Sequence, residues 1–227
     1  MSIGFKVLKR KRDIDASIIE KFRKIPLANI SDCMSRMTGG GPRLRPYHSG
    51  GVVCGPAVTV KSRPGDNLMA SAALVIAKPG DVIVVDAGGD LTNSIVGERM
   101  MVNAQRRGFG GFVINGAIRD VEWCRKNSFP VYAAGVTHRG PYKSGPGEIN
   151  VPISIDGMVC MPGDLIMGDE DGLLVVPYDD IETVYAAAYL KNQSEVNTFD
   201  EIGKSDQAAD EAEMRVRLKE MGCEFED

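Results

Sequence analysis

Four consecutive β-branched residues, Val82-Ile83-Val84-Val85, follow a Pro79-Gly80-Asp81 turn with no polar side chain among them. Successive side chains of a strand point to opposite faces, so this segment has no face to give to water and belongs in a sheet covered on both sides. Flanking segments supply the cover. Residues 15–24 read as a helix, with Asp15 as N-cap and Ile18, Ile19, Phe22 and Ile25 on one stripe; a second helix is expected over 29–37, before three consecutive glycines. Residues 52–62 read as a strand kinked at Gly55-Pro56, 67–77 and 95–107 as helices, 112–114 as a buried strand, 120–126 as a short helix and 130–136 as a further strand. Strands separated by helices in this way predict crossover units and an α/β architecture.

The last third changes character. Residues 157–160, 165–167 and 173–176 read as close-spaced strands, the last two joined by Asp171-Gly172, a hairpin dipeptide. The same reading takes Asp169-Glu170-Asp171 as part of a turn, since the spacing of a calcium-binding EF-hand loop is absent. Pro-Gly-Asp occurs at 64–66, 79–81 and 162–164. Proline presets φ and glycine accepts φ > 0, so each is expected to be a turn leading into a regular element rather than an acidic site. Beyond Pro177, residues 180–190 and 207–221 have helical spacing, and Ile181, Val184 and Ala188 mark a docked face. The expected organisation is an α/β domain over 1–178 and an acidic helical appendage over 179–227. The net charge of −4 divides accordingly, with 22 Lys+Arg against 17 acids in the body and 5 against 14 in the appendage.

With 43% apolar residues the chain can fill a core, yet no apolar run approaches the roughly 18 residues of a membrane helix. The first 13 residues carry no apolar stretch after their positive charges, so no export signal is expected and the cytoplasm is the expected location. Cys33, Cys54, Cys124, Cys160 and Cys223 are scattered, which fits reduced thiols better than disulfides or zinc. His48 and His138 are the only histidines, and the GxSxG, P-loop and GxGxxG strings are absent. Lys9-Arg10-Lys11-Arg12, without aromatic platforms, reads as a solvated terminus, so nucleic acid is not an expected partner.

In a parallel α/β sheet, ligands gather where strands end and helices begin. Two junctions qualify: Asp86-Ala87-Gly88-Gly89-Asp90 running on to Gly97-Glu98-Arg99-Met100, and Asn115-Gly116-Ala117-Ile118-Arg119-Asp120, both read as glycine-rich loops. Each residue also has a bland reading: Asp120 as a helix cap, Arg119 as an exposed ion-pair partner, Glu98 as a first-turn acid favoured by the helix dipole. Residue chemistry alone leaves both open.

Gly97-Glu98 followed after twenty residues by Arg119-Asp120 resembles the acid-x20-Arg-Asp signature of the divalent-metal aldolases for 4-hydroxy-4-methyl-2-oxoglutarate and 4-carboxy-4-hydroxy-2-oxoadipate. That superfamily includes the regulator of ribonuclease activity A, and many members once carried a menaquinone methyltransferase label. Asn29-Ile30-Ser31-Asp32, Gly55-Pro56-Ala57-Val58-Thr59-Val60, Asn150-Val151-Pro152 and the three Pro-Gly-Asp turns fall in the family's order, covering about residues 25–177. The resemblance implies a swivelling β/β/α domain, a homotrimer or homohexamer, and a Mg²⁺ or Mn²⁺ cofactor. By position it implies that Asp120 ligates the metal, that Glu98 reaches it through water where the aldolases have aspartate, and that Arg119 holds the keto-acid. It further implies that backbone amides at Arg99 and Met100, next to Gly97, hold the pyruvate carboxylate.

The expected reaction is cleavage of a 4-hydroxy-2-oxo diacid to pyruvate and a second oxo acid, with oxaloacetate decarboxylation at the same site. A Lewis acid and the charge of Arg119 oppose the enolate's developing charge, and Glu98 is the candidate to steer a water that takes the C4 hydroxyl proton. Lys143, in the loop after Gly140, is a candidate for the distal carboxylate. Rival readings are a Schiff-base aldolase using Lys61 and a non-catalytic binder that regulates a ribonuclease, which has no need of Arg119 and Asp120.

Overall fold

The computed structural model describes residues 3–201, 204 and 206–225, the side chains of 199–201 excepted; Met1, Ser2 and residues 202, 203, 205, 226 and 227, which belong to the two termini read above, lie outside the described residues. In chain order the elements are β1 (Phe5–Val7), α1 (Ala16–Phe22), α2 (Leu27–Cys33), β2 (Arg45–Pro46), β3 (Val53–Ser62), α3 (Leu68–Ile76), β4 (Val82–Asp86), β5 (Ser94–Val96), α4 (Glu98–Arg106), β6 (Gly111–Ile118), α5 (Val121–Lys126), β7 (Val131–Val136), β8 (Gly147–Ile149), β9 (Ile153–Ile155), β10 (Met158–Cys160), β11 (Leu165–Gly168), β12 (Leu173–Val176), α6 (Ile181–Glu201) and α7 (Gln207–Glu220). Two compact units result, Met1–Ala188 and Tyr189–Asp227.

Strands β3, β4, β6 and β7 run parallel, in register at Val58↔Ile83, Ile83↔Phe112 and Phe112↔Val131. As its apolar run predicts, β4 is buried on both faces. Ile83 and Val85 pack among residues of α3 and α4, including Ala70, Ala73, Met101 and Ala104. Val82 and Val84 pack instead against the β9–β10 hairpin, among Ile153, Ile155, Met158 and Cys160. Helices therefore cover one face and a small second sheet the other, a mixed β/β/α arrangement. β3 joins two parts of the sheet: Val53–Pro56 pairs antiparallel with β11, and Ala57–Lys61 pairs parallel with β4. The close approach of β3 to the Pro79-Gly80-Asp81 turn requires Gly55, because a Cβ there would stand 2.2 Å from the Gly80 carbonyl oxygen.

Asp15 caps α1 by accepting from the Ser17 amide at 2.7 Å. The docked face of α6 lies in a third core with α1 and β11–β12, where Ile181, Val184 and Ala188 are buried and Phe22 meets Tyr185 edge-on at 5.4 Å. In the second unit, α7 is capped by Asp206 and buries no residue. All three Pro-Gly-Asp segments are turns with glycine φ of 72°, 87° and 90°, and β11–β12 is the expected hairpin. Among the described residues no helix is long and apolar enough to cross a membrane.

Several boundaries differ from expectation. The helix expected over 95–107 is a strand followed by a helix: Ser94–Val96 pairs with β6, and α4 begins only at Glu98. Likewise Asn115-Gly116-Ala117-Ile118, expected in a loop, continues β6 through a register shift and is buried. The second helix spans 27–33 rather than 29–37, because Ser35 and Arg36 take positive φ of 55° and 62°. The basic tetrapeptide is not a free terminus: Arg10 pairs with buried Asp81 at 2.7 Å and Arg12 with Asp179 at 2.8 Å.

Candidate active site

β5 and β6 end side by side, which brings Gly97 and Arg119-Asp120 together although twenty-odd residues separate them. Asp120 precedes α5 in the left-handed conformation (φ 60°), which aspartate tolerates better than most side chains, and it makes no capping bond to its own helix. The bland capping role is thus absent. Its Oδ2 instead accepts from the Glu98 amide at the start of α4, 2.9 Å away, and lies 3.5 Å from Arg119 Nε. Gly97 is what allows this closeness: a Cβ there would fall 2.6 Å from Asp120 Oδ2 and 2.9 Å from Arg119 Nε. Arg119 and Asp120 both remain about two-fifths exposed, so the pair is open to solvent.

Arg119 lines a cavity of about 570 Å³ between α3 and α4, together with Gly97, Arg99, Met100 and Lys143. Arg99, Arg119 and Lys143 bring three cationic side chains to a wall that contains no carboxylate. Glu98 and Asp120 line a neighbouring hollow of about 380 Å³ with Glu122, Trp123 and Lys126. The chain passes from one hollow to the other at Gly97/Glu98 and again at Arg119/Asp120. Of the first amides of α4, Glu98 N is taken by Asp120, and Met100 N donates to Gly97 O at 3.0 Å. The Arg99 amide has no partner among the described residues.

Other expected candidates fall elsewhere. Asp86 accepts from Gly88 N in its own turn and from Asn115 Nδ2 on β6, and Asp90 binds the hydroxyl of Thr92, so both carboxylates are engaged within the fold. Lys61 is exposed on β3, opposite Asp86 and Glu148, and lines neither hollow. Four polar residues of the cavity are not singled out by the sequence: Asn67, Ser71, Ser94 and Asn103. A signal existed for two of them, since Asn67 and Ser71 stand four apart on an otherwise apolar helix and so share one face.

Asp120 and Glu98 also bear on whether a metal fits. Among the described residues no trio of His, Cys, Asp or Glu surrounds a common point, so a zinc-type shell of protein ligands has no donor set. Glu98 and Asp120, which line one hollow and would leave most positions to water, have the oxygen chemistry of a site for a hard cation such as Mg²⁺ or Mn²⁺.

Residues 27–175 match the RraA-like family, described as Aldolase/RraA. A Halalkalibacterium halodurans protein named "Putative 4-hydroxy-4-methyl-2-oxoglutarate aldolase" is 42% identical over 177 residues, 78% of this chain and 84% of its own length. Among solved structures, an uncharacterized protein from Pseudomonas syringae superposes with a TM-score of 0.76 at 26% identity, covering 86% of this chain and 96% of that one. Streptomyces coelicolor RraAS2, described as an unusual member of the RNase ES inhibitor RraA protein family, superposes with a TM-score of 0.74 at 25% identity over 82% of this chain and 98% of its own. A match over residues 27–175, in the order of strands and turns that builds the site, makes this chain a member of the Aldolase/RraA family.

Proposed function

We propose that the protein is a divalent-metal-dependent lyase that cleaves a 4-hydroxy-2-oxo diacid, such as 4-hydroxy-4-methyl-2-oxoglutarate, to pyruvate and a second oxo acid. The observation that carries this reading is the Arg119-Asp120 pair, packed on Gly97 between two hollows, one of them with three cations in its wall. An anionic substrate is drawn to such a wall. Asp120, with Glu98 through water, would hold Mg²⁺ or Mn²⁺. When bound, that ion supplies Lewis acidity at the keto oxygen.

The chain's own groups divide the remaining work. The unpartnered Arg99 amide, at the positive end of α4, donates to the pyruvoyl carboxylate. Arg119 opposes the negative charge that grows on the keto oxygen as the C3–C4 bond breaks, an interaction stronger in the transition state than in the ground state. Glu98 orients a water that removes the C4 hydroxyl proton, which lets the C4 oxygen become the carbonyl of the departing oxo acid. Lys143 meets the distal carboxylate. Loss of CO₂ from oxaloacetate leaves the same enolate, so decarboxylation follows from the same groups. We place the enzyme in a reducing compartment such as the cytoplasm, as its five free thiols suggest, and assign it a homotrimeric or homohexameric state.

The test is pyruvate release from 4-hydroxy-4-methyl-2-oxoglutarate and from oxaloacetate, with Mg²⁺, with Mn²⁺ and with EDTA. Wild type should act only with metal, and Asp120→Ala should lose at least about 100-fold in kcat/KM. Turnover of neither substrate, or an Asp120→Ala enzyme equal to wild type, refutes the assignment. Activity that survives EDTA together with borohydride trapping of pyruvate on Lys61 would instead establish the Schiff-base route. The RNase inhibitor relatives supply the remaining alternative, for which Arg119 and Asp120 would both be dispensable.

A further inference from the structure

The first Pro-Gly-Asp turn does more than introduce α3. Asp66 is completely buried, and among the described residues it has no ion-pair partner. Its Oδ1 accepts from the Leu68 amide at 2.8 Å, at the start of α3. Its Oδ2 reaches 78 residues along the chain to accept from the Ser144 amide at 2.7 Å and the Gly145 amide at 2.8 Å. The main chain adds to the clamp: Tyr142 N donates to Gly65 O at 2.8 Å, and Asn67 N donates to Tyr142 O at 3.0 Å. Lys143 stands between the two clamped residues Tyr142 and Ser144. The near end of the same loop is tied separately, by Asn93 Nδ2 to Gly140 O at 2.6 Å and Ser94 Oγ to Arg139 O at 2.9 Å. Gly140, Pro141 and Lys143 then form one wall of the cavity that Arg119 also lines.

The other two repeats of the tripeptide do something different. Asp81 accepts from Lys78 N and pairs with Arg10, and Asp164 accepts from Met161 N and Tyr178 N. Neither aspartate touches the cavity loop. A carboxylate is acceptor-only and can face three N–H groups at once, whereas asparagine of the same shape must turn its own NH₂ toward at least one of them.

We propose that Asp66 is a positioning residue of the site, which holds the 139–146 loop on the N-terminus of α3 and so presents the Lys143 ammonium to the cavity. Only its kinetic consequence rests on the aldolase reading; the clamp itself does not. In the wild-type protein the Ser144 amide, although its residue is exposed, should exchange its hydrogen as slowly as the amides of β8. In Asp66→Asn the amides of Ser144 and Gly145 should exchange faster, and trypsin should cut after Lys143 in the native protein. Asp164→Asn, which removes a buried Pro-Gly-Asp carboxylate of the same kind elsewhere, should change neither. With 4-hydroxy-4-methyl-2-oxoglutarate as substrate, whose distal carboxylate survives the cleavage, Asp66→Asn should raise KM about tenfold with kcat largely kept, and Asp66→Asn/Lys143→Gln should match Lys143→Gln alone, because both changes remove the same contact.

Fast exchange at Ser144 in wild type, or equal loop protection in Asp66→Asn and Asp164→Asn, overturns the clamp. A double variant whose KM is the product of the two single effects overturns action through Lys143. If wild type releases no pyruvate from any oxo acid, the aldolase reading falls, and the exchange measurements still decide the role of Asp66.

Discussion

Replacing Gly97 by alanine isolates the geometry of the site from the stability of the fold. The residue has φ −140° and ψ −179°, an extended conformation that alanine adopts without strain. The added methyl therefore acts only through contact. It would stand 2.6 Å from Asp120 Oδ2, 2.9 Å from Arg119 Nε and 3.1 Å from Arg119 Cγ, so the carboxylate must retreat by about 0.8 Å to reach ordinary van der Waals separation. Both partners are partly exposed side chains free to swing aside, and the fold loses little more than the Asp120–Glu98 amide bond, about 1 kcal/mol. Catalysis has no such freedom, since a displacement of about 1 Å in a positioned group costs on the order of 100-fold in rate, or about 2.7 kcal/mol. Gly97→Ala should thus retain its thermal midpoint within several degrees while kcat/KM for oxaloacetate falls about 100-fold, read by coupling pyruvate release to NADH oxidation by lactate dehydrogenase in saturating Mg²⁺. An alanine variant with more than half the wild-type kcat/KM would refute the idea that the Arg119-Asp120 pair needs the space Gly97 leaves, and so would a variant that loses activity only because it unfolds.

Two further outcomes concern stability. Ile114 is fully buried in β6 between β4 and β7, and Ile114→Ala should cost about 2–5 kcal/mol in urea unfolding; a loss below 1 kcal/mol would mean the central sheet repacks around the gap. Burial holds the His48 imidazole below its ordinary 6.5, so the unfolded chain binds a proton at a pH where the folded chain does not. Stability should be complete above 6.5 and decline as pH falls from there toward the folded pKa, and His48→Gln should flatten that part of the curve of urea midpoint against pH. An unchanged slope would assign the decline to other groups.

The sequence by itself determined the layered α/β class, because Val82–Val85 left no strand face for water, and it marked the turns, because Pro-Gly-Asp admits few other backbone conformations. Spacing and resemblance together also singled out Glu98, Arg119 and Asp120. The short strands β1, β2, β8 and β9 were not legible, since two or three residues carry no period that can be read. Residues 95 and 96, expected to open a helix, belong instead to the strand Ser94–Val96, because pairing with β6 and a bond from Ser94 to Arg139 outweigh a weak local preference. What only the tertiary structure decided is which groups meet. It alone shows Asp120 bonding the start of α4 rather than capping its own helix. It shows Arg10 and Arg12 tied to buried and surface carboxylates of the body, and Asp66 reaching a loop 78 residues away. Each of these contacts joins segments far apart in the chain, and the identity of a carboxylate carries no information about which distant amide or guanidinium the packed sheet will bring to it.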